Sequence, residues 1–170
     1  HDTSKSGSVA LDMHIHDVDF MRYLLGEPDG FDSSVVRNEN KAIEQIFTTF
    51  NYGDAVVMVE ACWDYPADFP FNGSFRVKFD KATVVLDGNG LNVYYNEGGH
   101  EKIEIKPDFE GGNDIGGNIS SLGGYYNELK YFVEKLNADE PLVIAPLDDA
   151  VKSVNLALAE IKSVGGAQLN

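Results

Sequence analysis

A series of short β-type runs separated by tight turns constrains the fold of this chain more than any other feature. Residues 75–79 alternate between apolar and basic side chains, as expected for a strand with one face on a core. Gly- and Asn-rich turns at residues 87–90 and 96–99 separate further runs. Connections this short join antiparallel neighbours. The predicted strands are residues 34–37, 43–50, 55–63, 74–80, 83–86, 91–95 and 102–105.

Apolar residues at helical spacing flank the β-type region on both sides. A first stripe lies within residues 13–25, and Gly26 followed by Pro28 ends that helix. Two more stripes follow a glycine-rich loop at residues 109–118. This order predicts an α+β fold, a mostly antiparallel open sheet of six or seven strands with helices packed on one face, in one domain over residues 1–170. The apolar positions of the last two helices are Leu122, Tyr126, Leu129, Val133 and Leu136, then Leu147, Val151, Val154, Leu158 and Ile161.

Composition narrows the range of partners. Hydrophobic residues make up 43% of the 170 residues, enough for a core, and the formal net charge is −15. This acidity disfavours binding to nucleic acid and to anionic membranes. The single cysteine, Cys62, fits a reducing compartment, and no signal peptide or membrane-spanning stretch can be recognised, so we expect a cytoplasmic protein. Because the chain starts with His1 rather than Met, we also expect it to be part of a longer protein.

Titratable groups concentrate in residues 12–19, which contain three aspartates and two histidines. Asp12 and His16 are four residues apart, a spacing that places two side chains one turn apart on the same side of a helix. A carboxylate beside an imidazole fixes its tautomer and raises its basicity, which suits general acid–base catalysis near neutral pH. The spacing alone leaves an alternative open, in which Asp12 is the helix N-cap and His16 a polar surface residue.

Two further interpretations of individual residues are open at this point. On an extended strand, Asp12, His14 and His16 would face one way and form the metal triad of a metal-dependent hydrolase. Barrel hydrolases with a His-x-His motif need about 250 residues, with helices alternating with strands, and this sequence lacks that alternation. Trp63 and Tyr125 either stack on a sugar or belong to the core.

The first run of the chain resembles a family signature. Residues 6–20, followed by Tyr-Leu-Leu-Gly at residues 23–26, are similar to the motif of the glucose–fructose oxidoreductase/inositol dehydrogenase (Gfo/Idh/MocA) family. There a glycine pair leads to an Asp, then four residues later to a His followed by Asp or Glu, and a helix ends in Leu-Gly. The resemblance covers essentially the whole chain as the family's C-terminal domain. Further runs similar to the family's central strand and last two helices are residues 59–63, 125–132 and 148–163.

The resemblance implies an oxidoreductase that transfers hydride between NAD or NADP and a sugar or polyol hydroxyl. His16 matches the residue that takes the hydroxyl proton, and Asp12 matches the acid that helps hold the substrate and the base. The family's catalytic lysine and its cofactor fingerprint lie in an N-terminal Rossmann domain. This sequence has neither Glu-Lys-Pro nor Gly-x-Gly-x-x-Gly. We therefore expect no cofactor-binding residues and no metal in this chain, and no activity from the chain alone.

The same resemblance suggests substrate contacts and partners. Ser8 stands where the family's second glycine is usual, and His14 occupies a position that is often small. His14, Trp63 and Tyr125 are therefore candidate substrate-binding residues. The expected partners are the protein's own Rossmann domain, a small sugar or polyol, and further copies of the chain joined through the sheet face. A non-catalytic oligomerisation module that uses this sheet face remains the alternative.

Overall fold

The computed structural model describes residues 8–104 and 124–165, which belong to two compact units. The first unit contains the chain up to Ala67 and again from Val143 onward. The second unit is the intervening stretch, Asp68–Leu142. Each unit contains its own antiparallel sheet.

The first unit consists of a three-stranded sheet and two helices. Its helical start is a π-helical segment, Ala10–His14, which continues directly into an α-helix. The strands follow in the order β1-β2-β3, so that each pairs with its neighbour in sequence. The remaining elements of this unit are α1 (Ile15–Leu25), β1 (Gly30–Arg37), β2 (Ile43–Tyr52), β3 (Ala55–Cys62) and α3 (Leu147–Ser163).

The described residues of the second unit, 68–104 and 124–142, form a four-stranded sheet and one helix. The strand order β4-β5-β6-β7 again follows the sequence, as expected for hairpins with short turns. The elements are β4 (Phe75–Lys78), β5 (Ala82–Asp87), β6 (Gly90–Tyr95), β7 (His100–Ile103) and α2 (Gly124–Ala138).

The predicted α+β class and the order of one helical run, seven strands and two helices are confirmed. The strands divide between two sheets, however, where the sequence predicted one. Alternation identifies residues that form strands, but it does not determine which strands pair. The segment between β3 and β4 contains Pro66 and Pro70 and forms no strand, so the ladder is interrupted there. That residues 1–170 form a single domain stays a prediction.

The inner face of the three-stranded sheet carries the core of the first unit. Phe50 and Val59 pack with Val18 and Met21 of α1. Beside them, Ile46 belongs to a second cluster that the start of the helical run also enters. That cluster contains Val9, Ala10, Ile43, Ile46, Ala61 and Trp63.

The opposite face of this sheet is open in the first unit. Val36, Phe47, Val56 and Met58 point to this side, and Met58 is 83% exposed. A strand alternates its side chains between the two faces, so these residues lie between the buried ones along each strand. We call these four residues the open sheet face.

Helix α3 packs through a face that differs from the predicted apolar stripe. Ser153, Ala157 and Glu160 are its buried residues, whereas Leu147 and Val151 of the predicted stripe are exposed. Small side chains allow close approach of α1, which contacts α3 directly. Helix α1 ends as predicted, because Gly26 adopts a φ of +82° that favours glycine. Within the described residues, no helix is long and apolar enough to cross a membrane.

Candidate active site

The start of the helical run differs from the predicted one. The sequence predicted a helix from residue 13, with Asp12 at its edge, but helical structure begins at Ala10 in π form. Neither the π segment nor α1 has a side-chain hydrogen bond at its N-cap. Asp12 therefore lies inside the first turn, and the alternative that makes it the N-cap is wrong.

Asp12 and His16, the two predicted catalytic residues, are both exposed. Asp12 belongs to the π segment and His16 to the first turn of α1, so the boundary between the two helix types falls between them. Within the part of the chain that the structure describes, no hydrogen bond joins their side chains. The one-turn relation predicted from their spacing assumed uniform α-helical geometry. Their catalytic pairing stays a prediction, and the structure leaves both side chains accessible.

Asp17 is electrostatically coupled to both nearby histidines. Desolvation raises the pKa of its carboxyl above the ordinary value, and electrostatic interaction with the imidazoles of His14 and His16 opposes this rise. Asp17 follows His16 directly in α1 and is exposed, like Asp12. The exposed imidazole therefore has acidic neighbours in the π segment and in α1.

His14 lies in the interior, although it is only two residues from His16. Its side chain has no exposed surface, and a hydrogen bond of 2.7 Å joins its Nε2 to Oε2 of Glu160 in α3. Glu160 is equally buried, and this burial raises the pKa of its carboxyl, while the hydrogen bond to His14 opposes the rise. His14 Nδ1 and Glu160 Oε1 have no hydrogen-bond partner in the described structure. A side chain enclosed in this way has no surface that could contact a substrate, so its burial does not support the predicted role of His14 in substrate binding.

A second polar network joins α1 to α3 near the other end of α1. The buried guanidinium of Arg22 binds Glu27 at 2.5 Å, Asp149 at 2.9 Å and Ser153 at 2.5 Å. Ser153 in turn donates to Asp19 at 2.5 Å. These bonds raise the pKa of Arg22 and lower the pKa of Glu27. The cation is saturated by acids of its own chain, so this network positions helices.

Sequence reasoning missed Glu160 and Arg22. Their partners across the helix pair are more than 100 residues away in sequence, as in the separation of 146 between His14 and Glu160 and of 131 between Arg22 and Ser153. Glu160 does continue the spacing of Ser153 and Ala157, the small residues that face α1. This position of a glutamate, in line with a stripe of small residues, is a local sign in the sequence that Glu160 is buried.

The two aromatic candidates lie in different surroundings. Trp63 is buried in the core cluster with Ile46 and Ala61, which favours the core interpretation that the sequence left open. Tyr125 belongs to α2 of the second unit and is exposed. Its contact with the substrate stays a prediction. The glycine-rich loop at residues 109–118 lies outside the described residues.

The geometry gives no support to the metal-dependent alternative. Across residues 8–104 and 124–165, no group of three or more His, Cys, Asp or Glu side chains could hold a metal ion. Of the three proposed ligands, Asp12 and His16 face the surface, whereas His14 binds Glu160 inside.

Comparisons with known proteins identify a family model and solved structures that are similar to this chain. A family model described as the GFO/IDH/MocA C-terminal domain matches residues 1–85. A search of curated proteins finds no match.

Solved structures of low sequence identity share the fold. UDP-N-acetylglucosamine 3-dehydrogenase GnnA from Acidithiobacillus ferrooxidans matches with a TM-score of 0.74 and 17% identity, over 96% of this chain and 50% of that chain. Levoglucosan dehydrogenase in complex with NADH matches with a TM-score of 0.76 and 16% identity, over 95% of this chain and 50% of that chain. An oxidoreductase from Agrobacterium radiobacter, in complex with NAD+, L-tartaric acid and magnesium, matches with a TM-score of 0.71 and 16% identity. The match covers 95% of this chain and 50% of that chain. The chain thus spans about half the length of these proteins.

Proposed function

Because this chain belongs to the GFO/IDH/MocA family, whose C-terminal domain model matches half of it, we propose that it is the substrate-binding and catalytic domain of a nicotinamide-dependent oxidoreductase. The observation that carries the proposal is the exposed imidazole of His16 at the start of α1, with the acids Asp12 and Asp17 beside it in sequence and also exposed. The other histidine of the run is enclosed, so only His16 is accessible as a base there.

The proposed reaction needs a proton acceptor on one side of an alcohol carbon. NAD or NADP would accept the hydride from that carbon on its other side. His16 then takes the hydroxyl proton, which requires an accessible side chain within hydrogen-bond reach of the substrate. Asp12 holds the substrate and steadies the imidazole. The substrate class is a sugar or polyol, because two of the structurally similar proteins are named as dehydrogenases of UDP-N-acetylglucosamine and of levoglucosan.

Cofactor binding is assigned to a Rossmann domain outside this chain. The sequence has no Gly-x-Gly-x-x-Gly fingerprint, and a phosphate cradle at a helix start depends on such glycines. The similar structures are about twice as long as this chain, which leaves room in them for a second domain. We expect the 170-residue chain alone to have no dehydrogenase activity, and the complete enzyme to work in the cytoplasm.

The test is His16→Ala in the full-length protein. Loss of a positioned general base typically lowers turnover by about 10²–10⁴-fold, so we expect kcat to fall by that amount while the dissociation constant of the cofactor stays unchanged. The matched control is His100→Ala, since His100 is an exposed histidine on β7 of the second unit. Unchanged kcat in His16→Ala, measured by nicotinamide absorbance, would contradict the proposal.

A second candidate function is sheet-mediated assembly without catalysis. The open sheet face exposes four apolar side chains on one side of the three-stranded sheet. Contiguous exposed apolar residues mark association surfaces in many proteins. Assembly through this face would also be compatible with catalysis, because the open sheet face lies opposite the sheet surface on which α1 packs.

A further inference from the structure

We propose that His14 and Glu160 are positioning residues that hold the π-helical turn and thereby set the placement of Asp12 relative to His16. This inference rests on the proposed function, because both residues act through the proposed acid and base. Neither would touch the substrate, since both side chains are fully buried.

Burying the pair of ionisable side chains lowers the stability of the folded state more than a purely structural contact would require. Two ionisable groups are removed from water, and each keeps one buried polar atom without a partner. Unpaired buried polar atoms lower the stability of the folded state, and apolar residues of similar size are often at least as stabilising as a buried ion pair. A hydrogen bond, unlike an apolar contact, fixes direction and register.

The contact lies at the boundary between the two helix types. His14 is the last residue of the π segment, and α1 starts at the next residue. No side-chain cap fixes the start of either segment. Val9 and Ala10 do pack into the core, but apolar packing is non-directional and tolerates rotation. The bond to Glu160 is therefore a directional side-chain contact at this boundary, beside the backbone bond from the N–H of Ile15 to Ala10 O.

The geometry of a π turn explains what such a contact would control. A π turn closes its hydrogen bonds over one more residue than an α turn. If the segment relaxed to α-helix, the residues before it would rotate by about 100° relative to those after it. Asp12 lies in the π segment and His16 after it. Loss of the π turn would therefore move Asp12 away from the native position that it holds relative to His16 and to the bound substrate.

A second polar contact between the same helices provides the matched control. Ser153 in α3 binds Arg22 and Asp19 in α1, and none of these residues belongs to the π segment. Ser153→Ala weakens the packing of α1 on α3 without touching the boundary. If the contact between His14 and Glu160 were purely structural, then its loss and the loss of the Ser153 contact would lower activity equally for the same loss of stability.

The experiment uses the full-length enzyme with His14→Leu, Glu160→Leu and the double variant. Each single variant leaves an uncompensated buried group, so both melt at lower temperature, and kcat falls by about 10- to 100-fold because small misplacements of catalytic groups have effects of this size. The double variant buries an apolar pair and recovers its melting temperature. Its kcat stays low, while KM for the alcohol and the cofactor dissociation constant change little. Ser153→Ala melts earlier and keeps its kcat.

Recovery of kcat together with stability in the double variant would overturn the inference, as would a loss of kcat in Ser153→Ala. If the double variant does not fold, Glu160→Gln and Glu160→Ala decide. The amide oxygen of Gln still accepts the imidazole N–H, so Gln should keep kcat where Ala loses it, and equal losses would overturn the inference. A double variant with full kcat, combined with an inactive His16→Ala, refutes the positioning role alone, whereas an active His16→Ala refutes the proposed function itself.

Discussion

At the scale of single residues, the run at residues 12–19 separates into accessible and enclosed groups. The sequence marks these residues as a cluster of titratable side chains, and the exposure of Asp12 and His16 agrees with the use predicted for them. The sequence does not indicate that the side chain of His14 is buried, because its hydrogen-bond partner Glu160 is 146 residues away. Burial of a polar side chain depends on such distant partners, and local periodicity contains no information about them.

The Arg22 network predicts a pH dependence at this scale. Arg22 holds the pKa of Glu27 below its ordinary value of 4.5, so the native state binds a proton there less readily than the unfolded chain. The resulting stabilisation is present above that value and disappears as the pH falls through the folded pKa. Glu27→Gln should therefore melt below wild type at neutral pH, and the difference should vanish in acid.

Thermal unfolding followed by circular dichroism at several pH values measures this difference. Glu39→Gln is the control, because Glu39 is an exposed glutamate for which the structure shows no ion pair among the described residues. A difference between Glu27→Gln and wild type that is the same at neutral and acidic pH would show that Glu27 contributes through packing.

At the scale of elements, the sequence predicts most strands and helices, but it predicts their partners poorly. All seven predicted strands exist, and the residues of β2 and β3 alternate between core and surface as expected. The π segment is missed, because five residues of helix carry no distinctive period. The packing face of α3 is also missed. Small residues form it, and the larger Leu147 and Val151 suggest a different face.

Neighbouring residues of β2 test the assignment of the two sheet faces. Phe50 is fully buried in the core, whereas Asn51 is exposed on the opposite face. Truncation of a buried Phe leaves a cavity, so Phe50→Ala should lower the free energy of unfolding by about 3–5 kcal/mol. Asn51→Ala should change it by no more than about 0.5 kcal/mol. Urea denaturation measures both, and similar effects of the two substitutions would contradict the register of this sheet.

At the scale of the whole molecule, composition and the family resemblance predict the class of the chain. The family and the α+β architecture are confirmed by the family model and the structure. The division of the strands between two sheets is not predictable from alternation, since each strand has the same pattern in either arrangement. The half-length match to the similar structures agrees with the expectation of a missing Rossmann domain, which stays a prediction.

The open sheet face predicts self-association. Met58 is its most exposed member, and a carboxylate placed there would lose hydration in any interface that covered it. Met58→Asp should therefore reduce the average mass measured by light scattering. The control is Asp54→Ala, in the exposed turn between β2 and β3. A substitution of Thr49 would not serve as a control, because Thr49 pairs with Met58. A strictly monomeric wild type would exclude association through this face.

The hydrogen bond between His14 and Glu160 also has a consequence for biosynthesis. During translation, Glu160 is added 144 residues after the proposed base, His16 (160 − 16). The π turn therefore acquires its directional contact only after α3 has left the exit tunnel. Premature termination between His16 and that helix would yield polypeptides that contain both proposed catalytic side chains of this domain and lack the contact with Glu160 that we propose aligns them.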